Sequence, residues 1–295
     1  MPELPEVETI RRSLGAAVVG QRVMTAEFRR EDILRSDPRT SAGSAARCAA
    51  RTPGSRIRDL GRVGKHLVVH LDDDWGWIVH LGMSGTLTLS DGGPEADHTH
   101  VVWTTEDGSS LRFRDPRRFG GWTAAEIPPP EGVLKGRVGI DALDPELDAA
   151  AFAARLAESR SPVKCRLLDQ RLVAGLGNIY VDEALYEAGI HPGTPACHLS
   201  SASWERLYWA VRRILASAID HRGTTFSDFR DGRGLTGDNW ERLRVYGRAG
   251  AACGRCGRQV EKMILRGRGT HFCPGCQEEE IEGGETGDDS FPGTT

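Results

Sequence analysis

Four cysteines near the end of the chain, Cys253-x2-Cys256 and Cys273-x2-Cys276 with sixteen residues between the pairs, restrict the fold more than any other feature. Each pair turns two sulfurs to one side of a tight knuckle. Two knuckles at this spacing can close a tetrahedral shell while the intervening residues run out and back as a hairpin. Four thiolates leave no open position, so one structural Zn2+ is expected and a catalytic metal is not. Two disulfides are the alternative. The chain shows no signal peptide and no apolar run of ~18 residues, so a reducing cytoplasm is expected, and it disfavours them. Cys48, Cys165 and Cys197 lack partner spacing and are expected to be free thiols.

The formal charge of −4 argues against a polyanionic partner until its distribution is considered. Residues 278–295 hold seven acids and no Lys or Arg; without them 38 basic residues face 35 acidic ones. That stretch is expected to be a disordered acidic tail. Between residues 242 and 277 the balance reverses, with eight Lys or Arg against Glu261 alone. A metal-pinned hairpin of that charge suits phosphate. Lysine is scarce: only Lys65, Lys135, Lys164 and Lys262 occur among the 38 basic residues, so a lysine can mark a place that needs a compact or titratable charge.

Patterning divides the chain. Thr9 to Val19 reads as a helix. Alternating stretches follow at 56–60, 66–71 and 77–81, separated by Gly and Asp, which is the pattern of an antiparallel β-sandwich. Residues 36–54, rich in Ser, Ala, Gly, Pro and Arg, read as a loop. Pro128 to Gly132 break the pattern, and Pro145 to Arg160 turn alanine-rich with helical periodicity. Trp204 to Ile219 reads as another amphipathic helix. The expected fold is α+β with two domains: a β-sandwich over 1–130, a linker over 131–144, a helical domain over 145–245, and the four-cysteine finger over 246–277.

Three stretches carry chemistry. Removal of Met1 would leave Pro2 with a free secondary amine, which titrates near ~8 and is a nucleophile at neutral pH. An iminium formed on it could not be neutralised by losing a nitrogen proton. Glu3 is covalently adjacent, and Glu6 and Glu8 lie within two helical turns. A plainer view has Pro2 and Pro5 starting a helix with acids at its positive end. Two turns, His80 to Gly85 with Met83 between glycines and Arg114 to Gly120 with Phe119 beside three arginines, could offer apolar wedges to a base stack. Methionine as core filler is the alternative for Met83. Finally, Gly175-Leu176-Gly177-Asn178 opens a helix whose outward N–H groups would suit a phosphate, or simply allow packing.

Met1-Pro2-Glu3-Leu4-Pro5-Glu6-Val7-Glu8-Thr9, the two turns, the Lys164 to Leu185 run and the cysteine pairs, in this order, resemble the bacterial formamidopyrimidine-DNA glycosylases. The resemblance extends from Pro2 to Gln277. It implies a helix-two-turn-helix domain with a zinc-finger β-hairpin, removal of oxidised purines, and strand scission by β,δ-elimination through a Schiff base on Pro2. Glu3 and Glu6 would move protons, and Lys65 would assist catalysis and contact phosphate. His80, His98, Lys164, Asn178 and Arg268 would contact the DNA backbone; for the two histidines a half-buried strand position is an equal alternative. Met83, Arg117 and Phe119 would form an insertion triad. The implied partner is duplex DNA containing oxidised bases or abasic sites, bound by a monomer associated with the bacterial nucleoid. In one place the chain departs from the family pattern: Gly237-Asp238-Asn239 stands where aromatics are expected in the loop covering the extruded base. A sister enzyme for oxidised pyrimidines and a catalytically silent binder of damaged DNA are the competing functions. A silent binder would have no use for Pro2-Glu3.

Overall fold

A computed structural model describes residues 1–36, 45–72, 74–126, 134 and 136–279. The first domain runs α1 (Leu4–Val18), β1 (Val23–Phe28), β2 (Leu34–Ser36), α2 (Ala45–Arg51), β3 (Asp59–Val63), β4 (His66–His70), β5 (Trp75–His80), β6 (Thr86–Ser90), β7 (Thr99–Thr105), β8 (Ser110–Arg114) and β9 (Gly121–Glu126). Two sheets, ordered β1-β7-β8-β6 and β2-β9-β5-β4-β3, face each other across Trp77, Trp103, Phe113 and Trp122. All neighbouring strands are antiparallel except β2 and β9.

The second domain comprises β10 (Ile140–Asp141), α3 (Ala149–Leu156), α4 (Val163–Leu167), β11 (Val173–Ala174), α5 (Asn178–Ala188) and α6 (Ser201–Asp220), and the chain ends in the hairpin β12 (Glu261–Leu265) and β13 (Arg268–Phe272). Asp148 caps α3 by accepting the Ala151 N–H at 2.7 Å, and Ser200 caps α6 through the Ser203 N–H at 3.2 Å. No described helix is long and apolar enough to cross a membrane.

The first helix differs from the sequence expectation in a way that matters. It begins at Leu4, not Thr9, because Glu3 occupies the N-cap position and Pro5 supplies a preset φ in the first turn. One stripe of α1, Val7, Ile10, Leu14 and Val18, lies in the sandwich core, while Leu4 belongs to the core of the helical domain. The helix therefore bolts the two domains together at its N-terminal end. Part of the stretch read as a loop, Ala45–Arg51, is helical, and its Cys48 packs into the sandwich. Alanine and arginine favour helix even where flanking Ser and Gly suggest otherwise. The Pro128 to Gly132 break and the tail beyond Glu279 lie outside the described residues.

Candidate active site and nucleic-acid interface

The start of α1 is buried from Pro2 through Thr9 and faces the start of α5. The glycines between β11 and α5 make this possible. A Cβ on Gly177 would lie 2.3 Å from the Glu3 carboxyl carbon, and one on Gly175, whose φ is +108°, would lie 2.4 Å from Leu4 Cδ1. The Ile179 N–H in the first turn of α5 donates to Glu3 Oε1 at 3.1 Å, and the Leu4 N–H donates to Gly175 O at 3.1 Å. The expected phosphate cradle is thus corrected in part: the glycines admit the N-terminus of α1, and the helix N-terminus receives this chain's own carboxylate.

Glu3 is 2 % exposed, and its second carboxyl oxygen has no partner among the described residues. Burial pushes its pKa up to about 7, against the lowering pull of Lys65. Glu6 is equally buried. Its Oε2 accepts the Glu3 N–H at 2.8 Å, while its Oε1 accepts the Tyr180 hydroxyl and, at 2.8 Å, the Thr224 N–H. Burial raises its pKa too, and these donors hold the rise back. Lys65 lies in the β3–β4 turn. That turn is docked on the second domain by the Gly64 N–H, which donates to Asp141 Oδ2 at 2.7 Å. Burial pulls the Lys65 pKa down, while Glu3 and Glu6 pull it back up. Glu8, expected within reach of the amine, turns away to Arg11, Arg12 and Arg62. Burial alone would raise its pKa, but the arginine bonds prevail and hold it near 2.

A cleft opens in front of Pro2, lined by Glu6, Met83, Ile179, Thr224 and Phe226 among others. Tyr180, Thr224 and Phe226 have no distinguishing signal in the sequence. The expected shortage of aromatics over the cleft is corrected here, because Phe226 supplies one from the opposite end of the loop and is 58 % exposed. Gly237 to Asn239 instead form the loop's stem: Asn239 Nδ2 donates to Thr224 Oγ1 at 2.9 Å, and a Cβ on Gly237 would strike Arg222 O at 2.2 Å. Met83, Arg117 and Phe119 are all exposed, and the Arg117 guanidinium lies 4.9 Å from the centre of the Phe119 ring.

The residues expected at phosphates separate. Arg268 is exposed beside the two-residue Arg266–Gly267 turn, where both φ values are positive. Asn178 donates through Nδ2 to Gly269 O at 2.9 Å. His80 is partly buried, with Nδ1 accepting the Gly82 N–H at 3.2 Å, and burial lowers its pKa. His98 is exposed with φ +66°. Lys164 is a correction: it is 0 % exposed, with Nζ 2.6 Å from Asp182 Oδ1 and 3.0 Å from Gly269 O. Asp182 Oδ2 accepts the His271 N–H at 2.8 Å. Lys164 therefore ties the helical domain to the hairpin and presents no free ammonium face to a phosphate.

The sulfurs of Cys253, Cys256, Cys273 and Cys276 all lie within 4.8 Å of one another, so the cluster can hold a metal ion. The Cys253–Cys276 separation of 3.8 Å matches the ~3.8 Å edge of a tetrahedron with ~2.3 Å metal–sulfur bonds. The knuckle is anchored by Gln277, which accepts the Cys273 N–H at 2.8 Å and donates to Ile190 O at 2.9 Å.

A β-sandwich joined through its first helix to a helical domain with a four-cysteine hairpin, and a buried carboxyl pair at the junction, define the architecture of a two-domain DNA glycosylase. Family models agree. The formamidopyrimidine-DNA glycosylase N-terminal domain matches residues 1–122, the H2TH domain of the same enzymes matches 138–230, and a zinc finger found in FPG and IleRS matches 250–278. The formamidopyrimidine-DNA glycosylase of Symbiobacterium thermophilum is 44% identical over 94% of this chain and 89% of its own length. That of Moorella thermoacetica is 46% identical over 89% and 94%. Among solved structures, the MutM (FPG) protein of Thermus thermophilus superposes with a TM-score of 0.82 at 40% identity, covering 94% of this chain and 99% of its own. A Lactococcus lactis homologue bound to THF-DNA and an inhibitor gives 0.84 at 35%, covering 94% and 100%. The chain belongs to the formamidopyrimidine-DNA glycosylase family.

Proposed function

We propose that this protein is a base-excision-repair DNA glycosylase and abasic-site lyase that removes oxidised purines, with the Pro2 amine as nucleophile once Met1 is removed. The observation that carries this is the Glu3 carboxyl, buried next to the cleft-lining Pro2 with one oxygen lacking a partner among the described residues, so that burial pushes its pKa up to about 7. A carboxylic acid half-protonated at neutral pH is suited to general acid catalysis. The Pro2 lone pair forms the N–C1′ bond as the base departs with the glycosidic electron pair, and the proton lost from the nitrogen neutralises the departing base. Glu3 delivers its proton to the ring oxygen, the sugar opens, and the nitrogen carries the positive charge of the iminium. Loss of a C2′ proton then expels the 3′ phosphate, and a second elimination expels the 5′ phosphate. Glu6, bonded to the Glu3 N–H, holds the terminus in line. Lys65, buried within electrostatic reach of both carboxylates and of Arg268, is assigned to assisting catalysis and to phosphate.

Duplex DNA is the partner. Lactococcus lactis relatives are described in complexes with DNA containing Fapy-dG, an abasic site and an oxidised pyrimidine. Arg268, Asn178, His80 and His98 are assigned to the backbone, and Met83, Arg117 and Phe119 to the vacated stack. The four cysteines hold one zinc, which when bound closes the knuckle and has no part in the chemistry.

The decisive experiment blocks the terminus. Extending the chain before Pro2 turns the amine into an amide without a basic lone pair, so borohydride trapping and strand scission should vanish while damaged duplex is still bound. Normal cutting by the blocked protein would refute the mechanism. Chelation of the metal should unfold the hairpin and weaken DNA binding while the sandwich stays folded, and protein purified under reducing conditions should contain one zinc.

A further inference from the structure

Met83 and Phe119 stand on different loops, between β5 and β6 and between β8 and β9, yet the two loops are fastened as one piece. The fastener is Asp115, which has no exposed surface. Its Oδ1 accepts the Ser84 hydroxyl at 2.6 Å from the first loop, and its Oδ2 accepts the Gly120 N–H at 2.8 Å in the second. Ser84 Oγ in turn accepts the Arg117 N–H at 3.2 Å. Asp115 is itself held through its backbone, where its N–H donates to His98 O at 3.1 Å and its carbonyl lies 3.0 Å from His100 Nε2. The loops touch backbone to backbone: a Cβ on Gly82, whose φ is +65°, would lie 2.4 Å from Gly120 N.

We propose that Asp115 is a positioning residue for base extrusion, clamping the two loops so that Met83, Arg117 and Phe119 enter the DNA stack as a single rigid wedge. The proposal rests on the assignment of these three residues to the vacated stack. Prying apart a base stack takes free energy, and a wedge that moved would lose part of it to its own ordering on insertion. Two loops with independent motion would each incur that loss. A buried carboxylate that accepts one donor from each loop removes it in advance, because both tips are set before DNA arrives. Asp115 does not line the cleft in front of Pro2, so its influence on the reaction runs through the wedge.

Asp115→Asn keeps the size of the side chain but turns an amide N–H2 toward one of the two donors. With a lesion paired in intact duplex, single-turnover excision should slow on the order of tenfold or more. The fluorescence rise of a 2-aminopurine next to the lesion, which reports unstacking, should slow equally. Cleavage of a preformed abasic site, which has no base to extrude, should stay within about twofold. Ser84→Ala, which removes one donor and leaves the carboxylate intact, should slow the same unstacking step. Met83→Ala serves as the control and should add little further slowing in the Asp115→Asn background. If Met83→Ala slows excision and unstacking but Asp115→Asn and Ser84→Ala do not, the clamp is refuted while the wedge stands. If Met83→Ala itself changes nothing, the wedge assignment fails and the clamp with it. Equal slowing on both substrates with a lowered melting temperature would mark Asp115 as a general fold determinant and overturn the proposal.

Discussion

Helix α5 separates two clusters of buried charge that have been treated in opposite ways. At its first turn, Glu3 has one backbone donor on one oxygen and no partner among the described residues on the other. One turn further on, Asp182 accepts from Lys164 Nζ at 2.6 Å and from the His271 N–H at 2.8 Å, and the next residue, Glu183, accepts three successive backbone N–H groups from Arg244, Val245 and Tyr246. Burial penalises a charge in both places. Where donors occupy both carboxyl oxygens, the side chain becomes a rivet between the helical domain and the finger, even though burial still raises the Glu183 pKa. Where they do not, the proton is held near neutrality and remains available for transfer. The same helix thus carries a reactive end and a rigid one, and the difference is the Glu3 oxygen left without a donor among the described residues.

The largest expected effect comes from removing the reactive proton. Glu3→Gln should lower lesion excision by about 10³-fold, within the range of general acid catalysis, while part of the cleavage of preformed abasic sites survives. Base release and strand scission followed separately would show it, and an equal loss of both would count against Glu3 as the acid. On the rigid side, Lys164→Met leaves Asp182 short of its charged donor and should destabilise the protein by about 3–5 kcal/mol in urea titration, whereas Lys164→Met with Asp182→Leu should recover a large part. A single variant costing under about 1 kcal/mol would end the contrast between the clusters.

The pH dependence sharpens it. The Glu3 pKa is raised from 4.5 to about 7 in the folded protein, so the fold binds this proton more tightly than the unfolded chain does. Its favourable contribution is fully present below about 4.5 and is lost as pH rises through 7, in total about 3 kcal/mol. Base release should decline about tenfold per pH unit only above about 8, where the Pro2 amine is already free and the shrinking protonated fraction of Glu3 limits the rate. Both the rate limb and the corresponding fall in stability should vanish in Glu3→Gln. The smallest effect is at the exposed tip of the rigid side: Arg268→Gln should weaken binding to all sequences alike and reduce the salt slope by about one unit. A changed lesion preference with an unchanged slope would contradict the phosphate assignment.

What the sequence determined by itself is the chemistry that depends on short spacing. Two CxxC knuckles sixteen residues apart bring four sulfurs together wherever they sit. Pro2-Glu3 puts an acid beside an amine by covalent bonding, and Glu6 reaches the Glu3 N–H because three residues make one helical turn. The sandwich and the helical domain were legible from period-two and helical patterning for the same local reason. Tertiary structure decided which of these groups are left wanting. Glu3 and Ile179 meet across 176 positions, Glu6 and Thr224 across 218, and Lys164 and Gly269 across 105. No local pattern records such pairings. A lysine spent on a buried aspartate reads like a lysine waiting for a phosphate, and a helix-opening glycine pair that admits a neighbouring helix reads like one that cradles an anion. Whether a charge is reactive or structural depends on how many donors reach it once water is excluded, and the folded chain alone brings those donors together.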